Sequence, residues 1–145
     1  MSRRRGTINA WEGRWPLNTY RDRDAAKLSR SALERIAMAE AMTLSEYGAA
    51  ITVRQRNRET HARLAARYDA AIILAAPGAA PVGLGSTGNP DFNVPASMLG
   101  IPALSLPLLS IDGLPLGLQI AGFVGEDASL FAVAAAIRDL LGTAA

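Results

Sequence analysis

The chain has 145 residues, about the length of one domain, and half of them are hydrophobic, which is enough for a packed core. It has no cysteine and a single histidine, which excludes a disulfide framework, a thiolate nucleophile and a multi-histidine metal site. Residues 1–70 carry fourteen Lys/Arg against eight Asp/Glu, and residues 71–145 carry one against five, so the net charge of +2 hides an asymmetry. We expect this charge asymmetry to reflect charged surface helices in the first half and a buried sheet in the second, rather than a nucleic-acid-binding surface.

Residues 1–23 form a basic segment in which Trp11, Trp15 and Tyr20 follow no regular period, so the segment is predicted to be irregular. The three aromatic residues are interpreted as anchors on a neighbouring surface. The alternative, a platform on which nucleic-acid bases stack, needs a basic groove with interleaved aromatic residues. No apolar run suited to a signal peptide follows residues 2–5, and no window has the roughly 18 apolar residues of a membrane span. A cytoplasmic protein without a membrane partner is therefore expected.

Residues 24–68 are predicted to be helical. Apolar residues recur at helical spacing from about Ala25 to Glu40, with charged residues on the other faces. Asp24 is of a residue type that caps helix starts, so we expect the first helix to begin there.

A second helix is predicted from a capping box in which Thr43 is the N-cap and Glu46 the third helical residue. Its pattern continues to about Tyr68. Its arginines are either a phosphate-binding stripe or, as is more usual for such a run, a solvated face. His61 lies among them and is expected to be exposed rather than to act as a base.

Residues 69–145 change to short apolar runs broken by proline and glycine. Ile72–Ala75 is predicted to be a buried strand of the kind found in parallel sheets. A short helix follows up to Leu99, capped by Asn89 or Asp91 and closed by Gly100.

Two further strands, Ala103–Leu108 and Leu116–Phe123, are predicted to pair antiparallel around a turn in which Gly113 has a positive φ. A last helix starts at Glu126 and Asp127, where acidic residues favour the positive end of the helix dipole.

Gly83, Gly85 and Gly88 have the spacing G-x-G-x-x-G, which is shared by dinucleotide-binding loops. That motif needs a strand directly before it and a helix directly after it. Here Pro90 follows at once and the loop is not joined directly to the preceding strand, so no nucleotide cofactor is predicted.

Three blocks in this region occur in a defined order: STGNPDFN at 86–93, LGIPALSLP at 99–107 and DGLPLGLQI at 112–120. Their order and spacing resemble the C-terminal part of the amidase signature family. The resemblance implies an α/β fold in which the chain supplies two or three strands, with flanking helices, to a larger mixed β-sheet.

The resemblance also implies a chemistry, acyl transfer from linear amides by a Ser–Ser–Lys triad with backbone oxyanion donors. This sequence contains no Ser-Ser pair and no Gly-Gly-Ser stretch. Its one lysine, Lys27, lies near Asp22 and Asp24 outside any matching pattern, and acidic neighbours are the opposite of what a neutral lysine base needs. We assign no catalytic residue, no metal ligand and no cofactor, and we expect the chain alone to be inactive.

By the same resemblance, the loop at 87–93 lies beside the active-site cavity of the family. The candidate substrate-pocket wall consists of Thr87, Gly88, Asn89, Phe92 and Asn93. Phe92 would supply an apolar surface and Asn93 a fixed amide. The alternative is that Asn93 only satisfies backbone groups of its own loop.

The sequence therefore predicts a fragment or truncated member of an amidase-type hydrolase that contributes sheet core and pocket wall. The alternative function is a non-catalytic remnant or an assembly module. Because nearly charge-free strands cut from a larger sheet leave edges unpaired, the expected partner is a separately encoded N-terminal amidase part or a second copy of the chain.

Overall fold

A computed structural model describes residues 2–142 of the chain. They form two compact units, a first unit up to Arg56 and a second unit from Asn57 onward. None of the helices in the described part combines the length and the apolarity needed to cross a membrane.

The first unit opens with helix α1, Ser2–Asp24, so the prediction of an irregular segment at residues 1–23 is wrong over its described part. Tertiary packing overrides the poor helical pattern: Ile8 is buried, and the ring of Trp11 stacks on Tyr47 with 5.2 Å between centroids. Trp15 and Tyr20 are 69% and 56% exposed, so of the three aromatic residues only Trp11 is packed as an anchor.

Helix α2 spans Arg30–Glu40, and its predicted start at Ala25 is wrong. The side chain of Asp24 makes an ion pair of 3.1 Å with Lys27 instead of capping, and only a single 3₁₀ turn follows it. The N-cap is Ser29, whose extended backbone lets its Oγ accept the N–H of Ala32 at 3.2 Å.

Helix α3 spans Leu44–Ala62 and continues as a 3₁₀ turn, Arg63–Ala66, close to the predicted end. The capping box is formed as predicted. Thr43 N–H donates to Glu46 Oε2 at 2.8 Å, and Glu46 N–H donates to Thr43 Oγ1 at 3.2 Å. The two bonds that the carboxylate accepts, from the N–H of Thr43 and from the Thr43 hydroxyl, lower the pKa of Glu46 because they favour its ionised form.

The second unit contains a three-stranded sheet in the order β1–β3–β2, with β1 at Ala71–Leu74, β2 at Ala103–Ile111 and β3 at Leu114–Ala121. The predicted α/β class is confirmed. However, β1 is neither parallel nor fully buried: it pairs antiparallel with β3 at one edge of the sheet, and Ile72 is 54% exposed. A four-residue apolar run does not specify its neighbours, which accounts for the error.

The predicted antiparallel hairpin of β2 and β3 is present, with Ile111 opposite Leu114. Its two turn residues, Asp112 and Gly113, have φ values of 51° and 76°, the pattern of a type I′ turn. A bulge shifts the register between Leu106 and Leu109.

Helix α5, Asp127–Gly142, packs on one face of the sheet. Ile120 of β3 is fully buried there against Leu130 and Ala134. The short helix α4, Val94–Leu99, is closed by Gly100 at φ 66° as predicted.

The predicted cap of α4 is wrong, because Asn93 occupies the N-cap position without a side-chain capping bond. The side-chain carbonyl oxygen of Asn89 instead accepts the N–H of Asp91 at 2.9 Å and tightens the preceding turn.

The arginines of α3 do not behave as one stripe. Arg54 lies 3.9 Å from the carboxylate of Glu12 within the first unit. Within the second unit, Arg58 Nε donates to the C-terminal carbonyl of α4 at Leu99, at 2.7 Å. Two of these side chains therefore have structural contacts of their own.

Thr43→Ala is expected to lower the free energy of unfolding of the first unit by about 1 kcal/mol, because it removes the hydroxyl that accepts the Glu46 N–H. Tryptophan fluorescence in urea reports on this unit, since Trp11 and Trp15 both lie in it. Thr52→Ala, in the same helix but bonded only to a helix carbonyl, is the matched control, with an expected change within about 0.5 kcal/mol. An equal effect of the two substitutions would contradict the cap.

The lowered pKa of Glu46 predicts a pH dependence of stability. A carboxylate whose folded pKa lies below its ordinary value of 4.5 stabilises the fold above that value and loses this contribution as the pH falls through the folded pKa. Glu46→Gln should therefore destabilise the first unit more at pH 7 than at pH 3, measured by the same urea titration. The same difference at both pH values would show that ionisation of Glu46 plays no part.

Candidate functional site

A cavity of about 510 Å³ opens on the second unit. Three stretches of chain line it: residues 76–81 after β1, residues 87–90 with Asn93, and residues 115–117 at the start of β3. None of the lining residues has an ionisable side chain. The cavity can offer hydrogen bonds and apolar contact, but its lining cannot take or give a proton at neutral pH.

The structure brings four of the five predicted wall residues to this cavity. Thr87, Gly88, Asn89 and Asn93 line it, whereas Phe92 is half-buried and does not. The predicted apolar surface comes instead from residues such as Leu116.

The loop at 87–93 is held in shape by its own side chains. Ser86 Oγ accepts the N–H of Gly88 at 3.1 Å, and Asn89 bonds both the backbone N–H and the carboxylate of Asp91. Serine, asparagine and aspartate stabilise such turns because their short side chains reach nearby backbone groups.

Asn93 ties this loop to the sheet. Its Nδ2 donates to the carbonyl of Ala75, directly after β1, at 3.0 Å. Its Oδ1 accepts from Nε2 of Gln119, in the middle of β3, at 2.6 Å. The side-chain amide of Asn93 is therefore fixed by two hydrogen bonds, as the first interpretation expects. It also satisfies a backbone carbonyl, as the second expects, but that carbonyl belongs to Ala75 after β1 and not to the loop of Asn93 itself.

Gln119 is the residue of the site that sequence reasoning missed. It is 4% exposed and is the one buried polar side chain among the described residues. A glutamine in an otherwise apolar strand is itself a signal, since buried polar groups need partners. Its Oε1 has no hydrogen-bond partner within residues 2–142.

Gly117 brings the third stretch close to the neighbouring strands. A Cβ atom at this position would overlap Oγ of Ser105 on β2 and would lie 2.9 Å from Cβ of Ala75. Only glycine lets the backbone approach so closely, so a side chain here would push the strands apart beside the cavity.

His61 lies elsewhere in the second unit and is half-buried rather than exposed, its ring 4.9 Å from that of Phe123. It lines a separate cavity of about 180 Å³. In the part of the chain that the structure describes, no three His, Asp or Glu side chains are grouped so that they could hold a metal ion.

Two of the known proteins that this chain resembles in sequence have different names. The chain is 32% identical over 134 residues to a fatty acid amide hydrolase of Medicago truncatula, covering 83% of this chain and 22% of that protein. It is 32% identical over 139 residues to a glutamyl-tRNA(Gln) amidotransferase component of Methylorubrum extorquens, covering 85% of this chain and 28% of that protein. No protein-family model matches the chain.

Solved structures share the fold. A crystal structure of an amidase superposes with a TM-score of 0.86 at 24% identity, covering 97% of this chain and 35% of that one. A bacterial aryl acylamidase of the amidase signature enzymes superposes with a TM-score of 0.68 at 16% identity, over 89% of this chain and 31% of that one. The chain therefore spans about a quarter to a third of the length of the proteins that it matches.

The Asn93–Gln119 bond predicts an energetic coupling. Asn93→Ala should destabilise the second unit by about 1 to 3 kcal/mol, because it leaves Nε2 of the buried Gln119 without a partner. Gln119→Leu removes one hydrogen bond from the exposed Asn93 and should cost about 0.5 to 1.5 kcal/mol. The double variant should lose less than the sum of the two by about 0.5 kcal/mol or more. Native-state hydrogen exchange of the β3 amides measures all three variants.

Asn89→Ala is the matched control, because this asparagine lies in the same loop but bonds only Asp91. Its expected effect is within about 0.5 kcal/mol. Strict additivity of the Asn93 and Gln119 substitutions would show that the two side chains do not interact in solution.

Proposed function

This chain is homologous to amidase signature enzymes over about a quarter of their length, and on that premise we propose that it forms one wall of the amide-binding cavity of an amidase-type hydrolase. The nucleophile and the base would come from polypeptide outside these 145 residues. The chain would contribute substrate binding and sheet core but no bond-breaking group.

The observation that carries this proposal is the meeting of the first and third sequence blocks at one cavity, with the second block behind them. The first block supplies its rim through the loop at 87–93, and the third supplies residues 115–117. The second block lies behind them, where Ser105 contacts the backbone of Gly117. The cavity that they surround, at about 510 Å³, is of the size that small-molecule sites have.

The chemistry of the wall supports binding rather than catalysis. An uncharged lining with a hydroxyl and two side-chain amides suits a neutral, polar substrate such as a linear amide. Cleavage of an amide needs an activated nucleophile and a proton donor. The sequence has no Ser-Ser pair, and its single lysine, Lys27, lies outside the unit that contains the cavity.

Reconstitution tests the proposal. The 145-residue chain is co-expressed with the part of the solved amidase that it does not match, and hydrolysis of a 4-nitroanilide is followed. The chain alone should show no hydrolysis above background and no fluorophosphonate labelling, whereas the pair should hydrolyse the anilide. Fluorophosphonate labelling of the 145-residue chain by itself would contradict the proposal that the nucleophile lies outside this chain.

The pair also tests the wall. Asn93→Ala should reduce kcat/KM of the reconstituted pair by about 10- to 100-fold, because the loop at 87–93 would no longer be held in place. Ser110→Ala, an exposed residue of β2, is the matched control and should leave kcat/KM unchanged. A pair that assembles but never hydrolyses the anilide would favour an assembly module without catalysis.

A further inference from the structure

We propose that Ser105 of β2 is a positioning residue of the candidate site. Its hydroxyl donates a hydrogen bond to Oε1 of Gln119 and so fixes the side chain that holds Asn93 in the cavity wall. The inference rests on the proposed function, because it names a residue that shapes the amide-binding wall although it is not among the residues that line the cavity.

The acceptor is the side-chain carbonyl of Gln119. The nitrogen of this amide is anchored, because Nε2 donates to Oδ1 of Asn93 at 2.6 Å. The oxygen, Oε1, is buried and has no hydrogen-bond partner within residues 2–142. A buried acceptor left without a donor costs about 1 to 3 kcal/mol, so a donor within reach is strongly favoured. With both atoms of the amide bonded, the amide group of Gln119 would be held against rotation.

Ser105 is placed to supply this donor. It lies directly opposite Gln119 in the register of β2 and β3. Directly opposite residues of antiparallel strands have side chains on the same face, with Cβ atoms about 4.5 to 5.5 Å apart. The neighbours of Ser105 in β2, Leu104 and Leu106, pack against the α5 core on the other face. Ser105 therefore presents its side chain to the face that contains Gln119.

The hydroxyl of Ser105 has no other partner. It makes no hydrogen bond with any residue of the described part of the chain, and its Oγ lies in the space that a Cβ atom on Gly117 would occupy. A serine hydroxyl has one proton to donate and is attached through a single bond with three staggered positions. A change of rotamer is therefore all that the proposed bond requires of Ser105.

The neighbouring positions of the sheet offer no competing side-chain donor. On the other side of β3, the residue opposite Gln119 is Ile73, which has no polar side-chain atom. Two positions before and after Ser105 along β2 are Ala103 and Pro107, and neither has a donor. Among the residues directly beside Gln119 on β1 and β2, Ser105 alone can supply a side-chain proton.

The proposed bond would complete a continuous chain of hydrogen bonds across the sheet. Ser105 would donate to Gln119, which donates to Asn93 at 2.6 Å, which donates to the carbonyl of Ala75 at 3.0 Å. Each of the three sequence blocks then contributes one side chain to the same network. Because the bonds are linked in series, losing the first would loosen the hold on Asn93 at the cavity.

Nuclear magnetic resonance of the full 145-residue chain tests the inference. Ser105→Ala removes only the hydroxyl, so the ¹³C resonance of the Gln119 side-chain carbonyl should move to lower frequency, as it does when a carbonyl loses a hydrogen bond. The NH₂ group of Asn93 should exchange with solvent about 2- to 10-fold faster, the equivalent of one hydrogen bond. Ser105→Thr keeps the hydroxyl and should match the wild-type chain. Ser110→Ala, another exposed serine of β2, is the matched control and should change neither signal.

Three results would overturn the inference. An unchanged carbonyl resonance in Ser105→Ala would show that solvent or another group satisfies Gln119 Oε1. Equal changes in Ser105→Ala and Ser105→Thr would show that the hydroxyl is not the group that matters. A shifted carbonyl with unchanged exchange of the Asn93 NH₂ group would show that the bond forms but positions nothing.

Kinetics of the reconstituted pair give a further readout. Ser105→Ala should raise KM for the anilide by about 2- to 10-fold with kcat unchanged, because a loosened wall weakens the binding of substrate and transition state alike. Ser105→Thr should restore KM, and a loss in kcat alone would contradict a positioning role. The resonance measurements need only the chain itself. Their failure would leave the proposed function intact, whereas a pair that never hydrolyses the anilide would contradict the proposed function and leave the resonance test to decide.

Discussion

The bond between Gln119 and Asn93 is the interaction on which the candidate site depends. Gln119 is buried in the central strand, and its 2.6 Å bond fixes the amide of Asn93, which in turn reaches the carbonyl of Ala75 at 3.0 Å. One short chain of hydrogen bonds thus links β3, the end of β1 and the loop at 87–93. Leaving the side-chain NH₂ group of the buried Gln119 without an acceptor would cost free energy. The hydrogen bond to Asn93 avoids that cost and so holds the loop to the sheet.

The two faces of the sheet have different surroundings. Ile120 and its neighbours pack against α5 on one face and form the core of the second unit. Gly117 and Gln119 point to the other face, where close backbone approach and a buried amide replace apolar packing. This alternation follows from the period of two in a strand, and it lets one strand serve both the core and the cavity.

Much of this arrangement could be predicted from the sequence, for identifiable reasons. The hairpin, the capping box and Gly100 depend on local turn and cap chemistry, which a short stretch of residues specifies. Helix α1 could not be predicted, because it is stabilised by contacts such as the stacking of Trp11 on Tyr47, far apart in sequence. The position of β1 at an edge is likewise a property of its neighbours.

Some residues of the candidate site could likewise be predicted from the sequence, and others could not. Thr87, Gly88, Asn89 and Asn93 could be placed because a family resemblance covers their loop. Phe92 could not, since the direction of one side chain in an irregular loop is not set by its spacing. Gln119 carried a usable signal, a polar residue in an apolar strand, whose partner only the fold reveals.

The central claim is that Gln119 and Asn93 hold the loop through their side-chain amides. Nuclear magnetic resonance of the side-chain NH₂ groups in the uniformly ¹⁵N-labelled chain tests it most directly. The account predicts that both NH₂ groups exchange slowly with solvent and have shifts away from those of free amides, and that Gln119→Leu releases the Asn93 group. Fast exchange of both groups in the unmodified chain would contradict it.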